Sequence, residues 1–126
     1  MAESFAVVPQ RRVLVVCTHA PETGFAAREA LDLALGFAAF DQDVALLFTG
    51  DGLRCLLKPA PGEPDREGIA QLLGVMPDYG ITRFIASVED LARHLPGAGG
   101  CAVEPESASA AEIAALIPAH DLVLRC

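Results

Sequence analysis

Tryptophan is absent from this 126-residue chain and tyrosine occurs once, so the core has to be aliphatic, drawn from its many Ala, Leu and Val residues. Basic residues are few and scattered: nine Lys and Arg stand against 17 Asp and Glu, for a formal net charge of −8. No cluster of Lys or Arg exists to neutralise a row of phosphates, which speaks against direct nucleic-acid binding by this chain alone. An anionic protein can still serve a nucleic-acid pathway through a partner. No CxxC pair occurs among the four cysteines (Cys17, Cys55, Cys101, Cys126), and His19, His94 and His120 share no ligand spacing. These absences argue against a metal site and, in a reducing compartment, against a disulfide framework.

Long apolar runs are missing as well. The longest stretch, Ala30–Phe40, contains Asp32 and falls short of a membrane span. At the start, Arg11 and Arg12 follow the short apolar run instead of preceding it, so no signal peptide is read. A cytoplasmic location without membrane contact is expected. The phosphate-binding patterns GxxxxGK[ST] and GxGxxG are absent, as is the GxSxG nucleophile elbow. No cofactor is called for.

What is present is a globular composition, 52% hydrophobic and 21% charged, in a length suited to one domain. That domain is taken as residues 1–126, with 1–11 as a flexible lead-in. The stretch Asp43–Leu57 (DVALLFTGDGLRCLL) organises the rest. Val44 to Thr49 is apolar on both faces, the pattern of a strand buried in a parallel sheet. It breaks at Gly50-Asp51-Gly52 and resumes as Leu53–Leu57, so the chain leaves a sheet edge, turns sharply and starts a helix. In open α/β sheets that C-terminal edge is where sites form.

Around this piece the chain alternates. Strands are expected at Arg12–Cys17, Thr82–Ala86, Cys101–Glu104 and His120–Cys126. Helices are expected at Gly24–Phe40, capped by Thr23, at Arg66–Val75, capped by Asp65, at Val88–Leu95, capped by Ser87, and at Ala110–Ile117, capped by Ser107 or Ser109. The Pro/Gly-rich KPAPGEPD reads as a surface loop, and Ala98–Gly100 as flexible. Such alternation without repeats means an α/β fold, a three-layer sandwich around a five-stranded parallel sheet. The helix Gly24–Phe40 has two apolar faces, one of Ala27, Leu31, Ala34, Leu35 and Ala38, the other of Ala26, Ala30, Leu33, Phe37 and Phe40. One face covers a sheet. The second asks for another subunit.

Two readings of Cys55 stand side by side. In the first turn of a helix, next to Arg54, backbone N–H groups and the helix dipole would favour a thiolate nucleophile, with His19 a possible imidazolium partner. Among Leu53, Leu56 and Leu57 it is equally a small buried hydrophobe. Cys17 ends a buried strand, Cys101 follows Gly99-Gly100, and Cys126 either closes the last strand or reaches a neighbour's site. Asp51 is placed to cap the helix that follows it, and with Gly52 forms a loop on the sheet edge.

Taken in order, RVLVVC, THAPETG, REALDLAL, FDQDVALLF, the DGL after strand two and the closing DLVLR resemble the TusC/DsrF branch of the DsrE-like sulfur-relay proteins, from about Arg12 to Arg125. The resemblance implies a DsrE-like fold and a hetero-oligomer with DsrE/TusD-type and DsrH/TusB-type subunits, a dimer of heterotrimers. Such a complex relays persulfide sulfur to a TusE/DsrC-type carrier, for 2-thiouridine at the tRNA wobble position or for dissimilatory sulfur oxidation. In the DsrE/TusD-type subunit the persulfide cysteine lies near the end of strand three, where this chain has Ala86 and Ser87. A non-catalytic structural and docking subunit is therefore expected, with Leu33, Phe37, Phe40, Asp51 and Gly52 at partner surfaces. The alternative is a sulfurtransferase whose own Cys55 carries the persulfide. A response-regulator-like module is rejected, because Thr18-His19, Ala86 and Arg125 stand where its acids and lysine would be.

Overall fold

Strand signals in the sequence are borne out within a residue or two for four of the five strands, and the fourth strand is displaced along the chain. The computed structural model describes residues 9–96 and 100–126. Its strands are β1 (Arg12–Cys17), β2 (Asp43–Phe48), β3 (Arg83–Ser87), β4 (Glu106–Ala108) and β5 (Leu122–Arg125). All pair in parallel, in the order β4-β3-β2-β1-β5. Central β2 is buried along its whole length except Asp43, as a continuous apolar run requires.

The helices are α1 (Ala26–Ala39), α2 (Pro64–Val75), α3 (Val88–His94) and α4 (Ala110–Leu116). The strand period of two sorts side chains into two cores. Val13, Val15, Val44, Leu46, Phe48 and Phe84 meet α1 and α2 through Leu31, Ala34, Ile69 and Leu73, with Leu91 of α3 packed beside them. Leu14, Val16, Ala45, Leu47 and Ile85 face the other way, towards Ile113 and Leu116 of α4. Right-handed crossovers explain the split. Three steps from β1 to β4 travel the same way and lay α1, α2 and α3 on one face; the jump back to β5 lays α4 on the other.

Several boundaries move, each for a local reason. Gly24 adopts φ 86°, a left-handed conformation that no helix interior accepts, so α1 begins at Ala26 and Thr23 does not cap it. The Thr23 hydroxyl instead donates to the Ala20 carbonyl at 2.9 Å. Helix α2 starts at Pro64, a favoured first position, which leaves Asp65 inside the first turn with its side chain outside the described residues. The fourth strand is not Cys101–Glu104. Pro105, which lacks an N–H, separates that segment from the ladder, and β4 forms after it; Cys101 makes an isolated antiparallel bridge with Leu57. Ser109 is the cap of α4, in a reciprocal capping box with Glu112. Of the expected flexible stretches, residues 1–8 and 97–99 lie outside the described residues. No helix among the described residues is long and apolar enough to cross a membrane.

Charges alternate along the opposite, N-terminal edge of the sheet. Arg83 holds Glu106 through two bonds of 3.2 and 2.8 Å, Arg12 lies 3.9 Å from Asp43, and the Arg12 N–H donates to the Asp121 carboxylate at 2.8 Å.

Candidate functional site

The loop after β2 is clamped from three sides. The Thr49 N–H donates to the Cys17 carbonyl at 3.1 Å, and the Gly52 N–H to the Thr49 carbonyl at 3.0 Å. Gly52 passes so close to β1 that an added Cβ would lie 2.0 Å from the Cys17 oxygen; only glycine fits. From the far side, the Gly50 N–H donates to the Asp90 carboxylate of α3 at 2.7 Å. Asp90 is buried, its own N–H donates to the Ser87 hydroxyl, and its other oxygen lies 3.3 Å from Arg93.

Asp90 thus supplies what the sequence reading assigned to Asp51. The segment Gly50–Leu56 is a 3₁₀ helix, without a side-chain cap at Thr49. Asp51 is exposed, and none of the described residues bonds its carboxylate. An acid in the first turn of α3 was legible as dipole compensation for that helix. Its reach across 40 positions to the Gly50 N–H depends on β3 lying beside β2, which no local pattern records.

The same geometry decides Cys55. It stands near the end of the 3₁₀ segment, not in the first turn of an α-helix, and is 2% exposed. Its sulfur donates to the His19 backbone carbonyl at 3.5 Å, while the His19 ring meets the Thr18 hydroxyl at 3.3 Å. No thiolate–imidazolium pair forms. Burial, and then the Glu22 carboxylate, push the Cys55 thiol up to about 12, against smaller opposing pulls from Arg66 and Arg54. Arg54 is engaged in an ion pair with Glu22. Cys17 is driven well above the ordinary thiol range, first by burial and then by its neighbours Cys55 and Cys126. The geometry of Cys55 is that of packing sulfur, not of an activated nucleophile.

At the end of β3, Ala86 is fully buried among the α1-side core residues, and Ser87 caps α3. Both positions are used structurally.

One open apolar surface lies along α1 and its C-terminal cap Phe40. Leu33 is 40% and Phe40 75% exposed; with Gly36 and Phe37 they line one shallow depression, and Phe37 and Phe40 line a second with Val13 and Leu122. Leu122 at the outer edge of β5 and Phe25 before α1 are further exposed apolar residues that the periodicity of α1 did not announce. Ala30, assigned to the same second face, is instead buried in the core, because a 14-residue helix lying on a twisted sheet covers more than one narrow stripe.

Three comparisons converge on this architecture. Residues 11–124 match the DsrE/DsrF-like family. A protein TusC homolog of Pseudomonas aeruginosa is 34% identical over 83 residues, covering 63% of this chain and 67% of that protein. The crystal structure of the ychN protein from E. coli superposes with a TM-score of 0.76 at 18% identity, over 93% of this chain and all of the other. The chain belongs to the DsrE/DsrF-like family, on its TusC/DsrF side.

Proposed function

We propose that this single domain is a non-catalytic structural and docking subunit of a cytoplasmic sulfurtransferase complex. In this reading it assembles with DsrE/TusD-type and DsrH/TusB-type subunits, and the complex passes persulfide sulfur to a TusE/DsrC-type carrier, for tRNA 2-thiouridine synthesis or dissimilatory sulfur oxidation. The observation that carries the reading is the end of β3. Where the catalytic subunit type is expected to hold its persulfide cysteine, this chain packs Ala86 into the core and uses Ser87 to cap α3. The buried, hydrogen-bonded Cys55 offers no replacement, and the open face of Leu33, Phe37 and Phe40 suits a subunit that works through its neighbours.

Reconstitution tests it. Complexes containing Cys55→Ser in this chain are expected to transfer sulfur to the carrier at near wild-type rate, since serine keeps a donor for the His19 carbonyl. Loss of transfer with assembly preserved would move the persulfide onto Cys55. Alone, the chain is expected to self-associate, and Phe40→Glu to shift it towards monomer while weakening assembly with the other subunits. A monodisperse wild-type monomer that gains no stability from those subunits would count against the docking role.

A further inference from the structure

The ladder continues one residue past β5. The Cys126 N–H donates to the Val16 carbonyl at 2.9 Å, and the Thr18 N–H donates to the Cys126 carbonyl at 3.0 Å. These two bonds bracket Cys17, so Cys126 stands directly opposite Cys17, one step beyond the Val16–Arg125 pair. Residues opposed in a ladder project to the same face, and both side chains pack with the core beneath α1. Neighbouring strands lie about 4.8 Å apart, within the Cα separation of roughly 4.4–6.8 Å that a disulfide bridges. The Thr18 hydroxyl, donating to the Cys126 carbonyl at 2.6 Å, fixes this end of β5 against β1.

The two thiols differ in access: Cys17 is buried and Cys126 partly exposed. Cys55 is near enough to influence Cys17, but it sits on the 3₁₀ segment outside the ladder and is held by the His19 carbonyl. Among the described residues no three metal-type donors converge, which leaves the cluster to thiol chemistry.

We propose that Cys126 and Cys17 form a cross-strand dithiol site that reacts with low-molecular-weight disulfides, Cys126 as the entry thiol and Cys17 as the resolving one. In the first step the Cys126 thiolate attacks one sulfur of the incoming disulfide, forming a mixed disulfide and expelling one thiolate. In the second, the Cys17 thiolate attacks the Cys126 sulfur, the Cys17–Cys126 bond forms and the second thiolate leaves. The protein dithiol loses two electrons, the small disulfide gains them, and the two thiol protons end on the two departing thiolates. The product ties β5 to β1 at the sheet edge, beside the Cys17 carbonyl against which Gly52 packs.

The test uses the reduced full-length chain and oxidised glutathione under native conditions. Cleavage after glutamate, which spares the Glu63-Pro64 and Glu104-Pro105 bonds, separates the four cysteines onto peptides 4–22, 30–67, 90–106 and 113–126. The expected product is a chain lighter by two hydrogens, with peptide 4–22 linked to peptide 113–126. Cys55→Ser should keep the link and Cys126→Ala should abolish it. A link from either thiol to Cys55, a link between two chains, glutathione retained on Cys126 with Cys17 free, or no reaction in the folded chain would each overturn the proposal. The wild-type map decides the matter even if Cys126→Ala fails to fold.

Discussion

Gly52 and Asp90 hold the loop after β2 from opposite sides, and they should respond differently to substitution. Gly52→Ala drives a Cβ into the Cys17 backbone, where neither atom can rotate away. Overpacking of that kind typically costs 1–3 kcal/mol, and about 3 kcal/mol or more is expected here because the obstacle is main chain. Urea unfolding would report it as a lower midpoint at unchanged slope. Asp90→Ala leaves the Gly50 N–H without its charged acceptor and should cost about 1–3 kcal/mol. Asp90→Asn, which keeps an acceptor, should cost less. Asp51, exposed and unbonded among the described residues, should tolerate Asn or Ala within about 0.5 kcal/mol. A loss of complex assembly in Asp51→Asn, with stability unchanged, would then report a partner contact and nothing else.

Helix α4 has little beneath it, for none of its seven residues is fully buried. Seven residues are too few for a helix to persist on propensity alone, so its start has to be fixed by other means. The capping box does this: the Ser109 hydroxyl accepts from the Glu112 N–H at 3.2 Å, and the Glu112 carboxylate accepts from the Ser109 N–H at 2.8 Å. Ser109→Ala is expected to destabilise the protein by about 1 kcal/mol and to raise amide exchange through α4 before the rest of the chain. Unchanged exchange there would show that packing against Leu47 and Ile85 suffices. The hydrogen bonds from Ser109 also hold the Glu112 carboxyl below the usual carboxylate range.

Across the whole molecule, the N-terminal edge of the sheet is cross-linked by charge while the C-terminal edge is left to loops and thiols. Arg83 lowers the Glu106 carboxyl through its hydrogen bonds and, to a lesser degree, through its charge. A depressed folded-state value stabilises the fold above the ordinary range near 4.5, and that contribution disappears as pH falls through the folded-state value. Both side chains are about half in water, so the pair is worth well under about 1 kcal/mol. Unfolding free energies of wild type and Arg83→Ala should therefore differ by a small amount at pH 7 and converge as pH falls below the ordinary carboxylate range. A constant difference would mean that Arg83 acts by covering the sheet edge and not by its charge.

Local sequence determined the elements themselves. Unbroken apolar runs such as Val44–Phe48 can satisfy their backbone only inside a sheet covered on both faces, and the alternation with helices then leaves a parallel sheet as the consistent packing. The exposed Leu33 and Phe40, with the partly buried Phe37 beside them, were legible for the same reason, since a helical period shows when more apolar surface exists than one sheet can cover. Strand four was not legible, because Cys101–Glu104 is as good a strand former as Glu106–Ala108 and only pairing with β3 selects between them. Cys55 was ambiguous because a thiol's reactivity depends on how much water and charge surround it, which packing sets. Tertiary structure alone brought Asp90 to Gly50, pressed Gly52 against Cys17 and set Cys126 opposite Cys17. Each of those contacts joins segments far apart in the chain, where strand order and register, and no neighbouring residue, fix who meets whom.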